Sequence, residues 1–414
     1  MRRFSLLILF AALMVGCEKV GDSPDGGDII NPPVDENPVI EFSGTASHGN
    51  VHEIDSQVTN TTIEFEVNTP WELAFASYND EPIDWISAEK TSGQAGKHSV
   101  KLFMEPNTTP NNRLVRVEIR DVSQRQSTRV ENLDMDDIVN SYQGVCYVVS
   151  ILQACYYANK YPIGVRVYVE HSFHLKELID EYVAENNLTY DDIEYLEVCG
   201  DLSSDPINKD SNYHFINNSL LNLKELNLSD ADMVTISDGA FYENRSIHYI
   251  RLPRSLEYIG DNAFYNSELR NVNLRIPSGV RYVGYNAFAG TQISGTIVIS
   301  NYSGYIELLP SAFNTPYILT AIFCEGITTI EGGHNAFQQG LALLVLPSSL
   351  RAIRQSFLRN ISIVCCYAQV PPSIIDPLLL QPQTVGGVLI PINSYLLYTD
   401  SKNPWSGFAI HPAL

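Results

Sequence analysis

At 414 residues, 44% hydrophobic and 18% charged, the chain has room for two or three domains and is too apolar to be disordered throughout. Forty-eight acidic against 26 basic side chains leave a net charge of −22, which repels phosphate backbones and excludes nucleic acid as a partner. The seven cysteines form neither a Cys-x-x-Cys pair nor a His-flanked zinc spacing, so no metal, cofactor or dithiol chemistry is expected.

Arg2 and Arg3 precede an apolar run from Phe4 to Val15, which is too short for a bilayer span of roughly 20 residues and reads as a cleaved export signal. The run ends in Met14-Val15-Gly16-Cys17, which resembles the lipobox of bacterial lipoproteins. That resemblance makes residues 1–17 a lipoprotein signal peptide and Cys17 the acylated first residue of the mature protein. More than one acyl chain, at ~0.8 kcal/mol per buried methylene, gives a lasting membrane anchor. Residues 18–38 are rich in Asp, Gly and Pro and carry almost nothing to bury, so they form an acidic flexible tether.

Residues 39–122 change to short alternating segments. Ile63, Phe65 and Val67 share one face of Thr62–Val67, and Ser99–Met104 and Leu114–Ile119 alternate similarly. Such strands with turns between them predict a small Ig-like β-sandwich. Asn68-Thr-Pro-Trp71, Asp84-Trp-Ile-Ser87 with Thr91-Ser-Gly93, and Glu105-Pro-Asn107 leading to Arg113 resemble the BACON domain, a Bacteroidetes-associated carbohydrate-binding module. The resemblance implies glycan binding, with Trp71 and Trp85 as candidates to stack on a sugar ring; the alternative is that both fill the sandwich core.

Beyond a connector and N-terminal cap over 123–192, a repeat occupies 193–391. Phe241, Phe264, Phe288, Phe313, Phe337 and Phe357 recur at steps of 23, 24, 25, 24 and 20, and all but the last follow an alanine. A period in this range signals a solenoid. Before each phenylalanine stand apolar anchors at offsets 0, 3 and 5, as in Ile247/Ile250/Leu252 and Leu341/Leu344/Leu346; with Ile293/Thr296/Val298, Leu319/Ile322/Cys324 and the outlying phrases they make nine coils. Each coil sends a short strand inward, stops it and returns, and the phenylalanines are expected to stack as a spine. No single coil closes its own core, so stability is a sum over neighbours.

The phrase with its Ala-Phe resembles the BspA-type leucine-rich repeats of bacterial surface proteins, over roughly half the chain. The expected fold is mostly β: sandwich, then a leucine-rich repeat solenoid of about nine coils with a small α/β N-terminal cap. Ser172–Glu185, with Leu175, Leu178, Ile179, Tyr182 and Val183 at helical spacing, is the cap helix, and 392–414, with Trp405 and Phe408, the C-terminal cap. Family members are associated with attachment to host matrix or other cells.

Catalytic chemistry is not apparent. Gln143-Gly-Val-Cys146 is similar to a thiol-protease nucleophile, but no His/Asn pair follows in a domain of suitable size. His171 and His174 lack a third ligand, and Cys365 and Cys366 point to opposite faces by alternation. On the outward face of the sheet the expected series is Glu197, Asn227, Arg251, Asn273, Ile297, Phe323, Val345, Cys365 and Leu389: polar first, then apolar, with Leu343 and Ile363 extending the apolar strip. Such a strip needs a cover, either a partner or the chain's own C-terminal part. The candidate partner contacts are Ile297, Phe323, Leu343, Val345, Ile363 and Leu389, with Tyr249 and Arg251 on the polar half. The expectation is a non-enzymatic outer-membrane lipoprotein, exposed on the cell surface or facing the periplasm, that binds a host-matrix or cell-surface protein. The alternative is glycan capture through the BACON-like domain.

Overall fold

The computed structural model describes residues 8–9, 39–41, 50–77, 83–109, 111–122, 145–153, 164–170, 174–203, 212–332, 336–337, 339–354, 357–375 and 382–412. Cys17, the tether and His171 lie outside the described residues. No helix among the described residues is long and apolar enough to cross a membrane.

Among the described residues the sandwich has nine strands. In one sheet β1 (Val39–Glu41), β3 (Asn60–Val67), β7 (Gly96–Met104) and β5 (Ile86–Ala88) lie in that order; in the other β2 (Asn50–Ile54), β9 (Val145–Gln153), β8 (Arg113–Asp121), β4 (Trp71–Ala76) and β6 (Ser92–Gly93). Ile63, Phe65 and Val67 meet Val115, Val117 and Ile119 in a shared core, as alternation along the strands dictates. The expected boundary at 122 moves: β9, inside what reads as a connector, inserts parallel to β2 and antiparallel to β8. Cys146 therefore stands on a sandwich strand.

The solenoid also starts earlier than expected. The strand Gly164–Val169 pairs in parallel with Tyr195–Asp201. Between the two parallel strands runs the cap helix α1 (Leu175–Glu185), burying Leu175, Leu178, Ile179 and Tyr182. The front strands then stack in parallel through Glu225–Asn227 and Tyr249–Arg251, and again from Arg275–Ile276 to Val385–Ile390, with Ile410–Pro412 of the cap as the last rung. The coil that opens the second run is also joined to its successor by the isolated bridge Val272↔Ser294. A back sheet runs from Thr235–Ile236 to Ser373–Ile375, seven strands in all, so seven turns carry a strand on both sides. The C-terminal cap closes the core with Trp405, whose indole N–H donates to the Pro372 carbonyl at 2.7 Å.

The phenylalanine spine is present. Phe241, Phe264, Phe288, Phe313 and Phe337 stack with centroids 4.9–5.3 Å apart and planes within 10°. This is the rung spacing of a parallel sheet imposed on the rings. The last step breaks it: Phe357 meets Phe337 edge-on at 78°, where the period shortens to 20 and alanine gives way to Ser356. Each spine backbone is tied to the next coil, Phe241 N–H donating to Ala263 O, Phe264 to Ala287, Phe288 to Ala312 and Phe313 to Ala336, at 2.7–2.9 Å. A larger side chain at the alanine would hold the coils apart.

Two residues before the phenylalanine the backbone is left-handed, at Gly239, Asn262, Asn286 and Ser311 (φ 53–64°). This explains the recurring Asn or Gly, because other L-residues lose roughly 1–2 kcal/mol in that region. Asn286→Val is expected to destabilise the solenoid by about 1–2 kcal/mol in urea unfolding, and Asn286→Gly by much less. Equal losses in the two variants would show that the position is chosen for its side chain and not for its backbone.

Candidate recognition surfaces of the solenoid

The N-terminal half of the front sheet is polar, as its sequence indicates. Arg166, Glu197, Asn227 and Arg251 align in one row across four strands, and Tyr195, Glu225 and Tyr249 in the next. Arg166 pairs with Glu197 at 3.4 Å, and the Tyr195 hydroxyl donates to Glu197 at 3.1 Å. Burial, more than any neighbour, holds the Glu197 carboxyl above its usual range. Tyr249 and Arg251 are half-buried, so they offer limited contact area. Glu197, Cys199 and Asp230 converge within 4.8 Å, but Cys199 is disulfide-bonded and has no thiolate to give a metal.

The C-terminal half corrects the expectation in two ways. Ile297 and Phe323 are core residues, each fully buried inside the solenoid. The inward set of the second coil is Ile318, Ala321 and Phe323, while Leu319 is 47% exposed, so the true anchor stands one residue before the one the pattern selects. A slip of one residue reverses every side chain of a strand. In the preceding coil the register shifts between Gly295 and Thr296, which turns Ile297 in and Val298 out.

The outward strip consists of Val298, Ile322, Cys324, Val345, Cys365, Tyr367 and Leu389, with Leu343 and Ile363 at its margin, and it is covered by the chain itself. The cover is the sandwich, because Leu114 of β8 belongs to the same buried cluster. The loop before β8 fastens the edge of the contact. Asn112 Nδ2 donates to Asn273 O (3.0 Å), Asn273 Nδ2 to Asn112 O (3.2 Å) and the Val272 N–H to Asn111 Oδ1 (3.1 Å). These bonds fall on the coil where the front ladder is interrupted, so the sandwich supplies partners that the neighbouring rungs do not. Val345 and Leu389 are thus unavailable to a partner, and Leu343 and Ile363 are partly buried against the same cluster.

The family model described as BspA type leucine rich repeat region matches residues 208–344, in six copies. The chain carries a BspA-type leucine-rich repeat region. No curated protein matches the chain. Among solved structures a Bacteroides ovatus GH5 xyloglucanase in complex with a XXXG heptasaccharide aligns at 17% identity and a TM-score of 0.18, over 29% of this chain and 21% of that one. The chain spans about a fifth of that enzyme's length.

Outside the BspA-type repeats, the two glycan-stacking candidates are core residues. Trp71 is fully buried, edge-on to Phe65 at 4.9 Å and to His98 at 5.0 Å, and a side chain at Gly93 would strike its indole. Trp85 is buried beneath the Arg113 guanidinium, 5.7 Å from its ring. Neither ring is open to a sugar. Cys365 lies in the outward cluster and Cys366 in the core, as alternation requires, and burial pushes the Cys366 thiol up to about 11.

What the sequence pattern does not single out is the tyrosines on the BspA-type turns and back sheet. Tyr258 stacks on Tyr282 (4.3 Å) and Tyr242 on Tyr265 (5.4 Å), while Tyr242, Tyr285 and Tyr305 are exposed. Their one legible signal is recurrence at the repeat period. Val345→Asp is expected to detach the sandwich, because an unpaired carboxylate would sit among aliphatic side chains. Small-angle scattering should then show a larger radius of gyration with an unchanged circular dichroism spectrum; an unchanged radius would contradict the docking.

Proposed function

We propose that the protein is an exported, lipid-anchored, non-enzymatic recognition protein whose BspA-type solenoid holds a protein partner at the cell surface. The observation that carries this reading is the group of tyrosines on the back sheet and its adjoining turns, with Tyr258 stacked on Tyr282 and with Tyr242, Tyr285 and Tyr305 exposed. Tyrosine is enriched at protein interfaces because it brings large contact area with few rotors and a polar tip. The leader ending in Gly16-Cys17 supports acylation at Cys17, and the disulfide at Cys199 suits an oxidising compartment outside the cytoplasm. Tyr249 and Arg251 have a lesser part in this reading, since the front sheet is half occupied. Glycan capture through Trp71 and Trp85 loses support from their burial.

The test is binding of the full chain to immobilised host-matrix protein and to intact cells. Combined Tyr242→Ala, Tyr285→Ala and Tyr305→Ala exchanges remove exposed rings only and are expected to lower binding by more than about tenfold, the effect of losing one interface hot spot, with the unfolding midpoint unchanged. Cys17→Ala is expected to abolish lipid labelling and release the protein from the membrane fraction. Full binding by the triple variant would overturn the assignment of the face, and retention of Cys17→Ala in the membrane would overturn the anchor.

A further inference from the structure

At the junction of sandwich and solenoid lies a half-open pocket of about 270 Å³. It lies beside the interrupted rung of the front sheet, with Asn112 of the sandwich at one wall and Arg251, Arg254 and Arg275 of the solenoid around it. No acidic residue is among the described residues that line it, although acidic side chains outnumber basic ones 48 to 26 in the chain. Three of the scarce basic groups therefore converge on one concavity. Arg254 reaches across the rim to Asp230 at 2.8 Å and is otherwise largely exposed. Arg275 lies deeper, and burial is the largest influence on its guanidinium, lowering its proton affinity. With Asp230 counted against them, the three arginines leave this wall net positive, which favours an anionic group.

We propose that this pocket binds a saccharide bearing a carboxylate or a sulfate. The guanidinium fork matches both groups through paired N–H donors. The volume falls just under the usual ~300–1,000 Å³ of small-molecule pockets, which suits one sugar ring and not an oligomer. The rest of the lining favours a sugar over an acidic peptide. Ile250, Leu252 and Leu274 are buried and belong to the solenoid core, so they offer no apolar recess for a side chain. Ser229 and Ser278 bring hydroxyls suited to ring hydroxyls, and Tyr302, which lines the pocket and is 84% exposed, supplies an aromatic side chain on which a ring can stack. Because Asn112 belongs to the sandwich, the site is complete only when the two domains are docked, and a ligand there stabilises the docked form by mass action. The site is separate from the tyrosine face and does not depend on a protein partner.

Saturation-transfer NMR and calorimetry on the full chain test the proposal with four probes: glucuronic acid, glucose 6-sulfate, glucose and N-acetylglutamate. Saturable binding of both acidic sugars, at least about tenfold tighter than glucose or N-acetylglutamate, is the expected result, a ratio that one charge-assisted contact supplies. Two rim exchanges that spare the core read out the roles. Arg254→Gln should weaken both acidic sugars severalfold, and Tyr302→Ala should weaken them while both variants keep the wild-type melting temperature. Binding of glucose or N-acetylglutamate as tight as that of the acidic sugars would overturn the proposal. So would the absence of saturable binding by the acidic sugars, or acidic-sugar affinities unmoved by both exchanges.

Discussion

The structure rests on one repeated contact: the N–H of each spine phenylalanine donates to the alanine carbonyl of the next coil while the ring stacks on its successor about a rung away. That contact fixes the rise per coil, and the rise in turn lets front and back strands pair in register. No coil satisfies its own backbone, so the array holds only as neighbours accumulate and is closed at the ends by a helix on one side and the Trp405 cap on the other. At Phe357, where the sequence period shortens to 20, the ring turns edge-on.

The periodic part of this architecture was legible in the sequence because each repeat states it again. Ala-Phe, most of the strand phrases and the body of the cap helix are local patterns, and these hold. The register at Ile318-Leu319 was not legible, since two adjacent apolar residues satisfy the same template and only neighbouring rungs decide between them. Nor was the pairing of Val145–Gln153 with Asn50–Ile54, whose partners are some hundred residues apart. The left-handed position two residues before the phenylalanine was visible as Asn, Gly or Ser but carries meaning only once the backbone turn is seen.

The least legible feature was the cover of the apolar strip. An exposed row of Val298, Ile322, Val345 and Leu389 implies an occupant, yet nothing in the row names it. The occupant is a neighbouring domain, joined through Asn111 and Asn112 to Val272 and Asn273, 161 positions away. The consequence for function is direct. The greasy half of the sheet is buried against the sandwich and Trp71 and Trp85 are core residues, which leaves the tyrosine side of the solenoid and the arginine-lined junction as the surfaces we propose for recognition.

That division depends on the sandwich being seated on the front sheet. The most direct measurement is oxidative cross-linking of a chain carrying Asn112→Cys and Asn273→Cys, whose native side chains each donate to the other residue's carbonyl. Near-quantitative formation of an intrachain disulfide between these two positions at low protein concentration, identified by peptide mapping, is the predicted result. Persistence of both thiols, or cross-links only between separate chains, would contradict it.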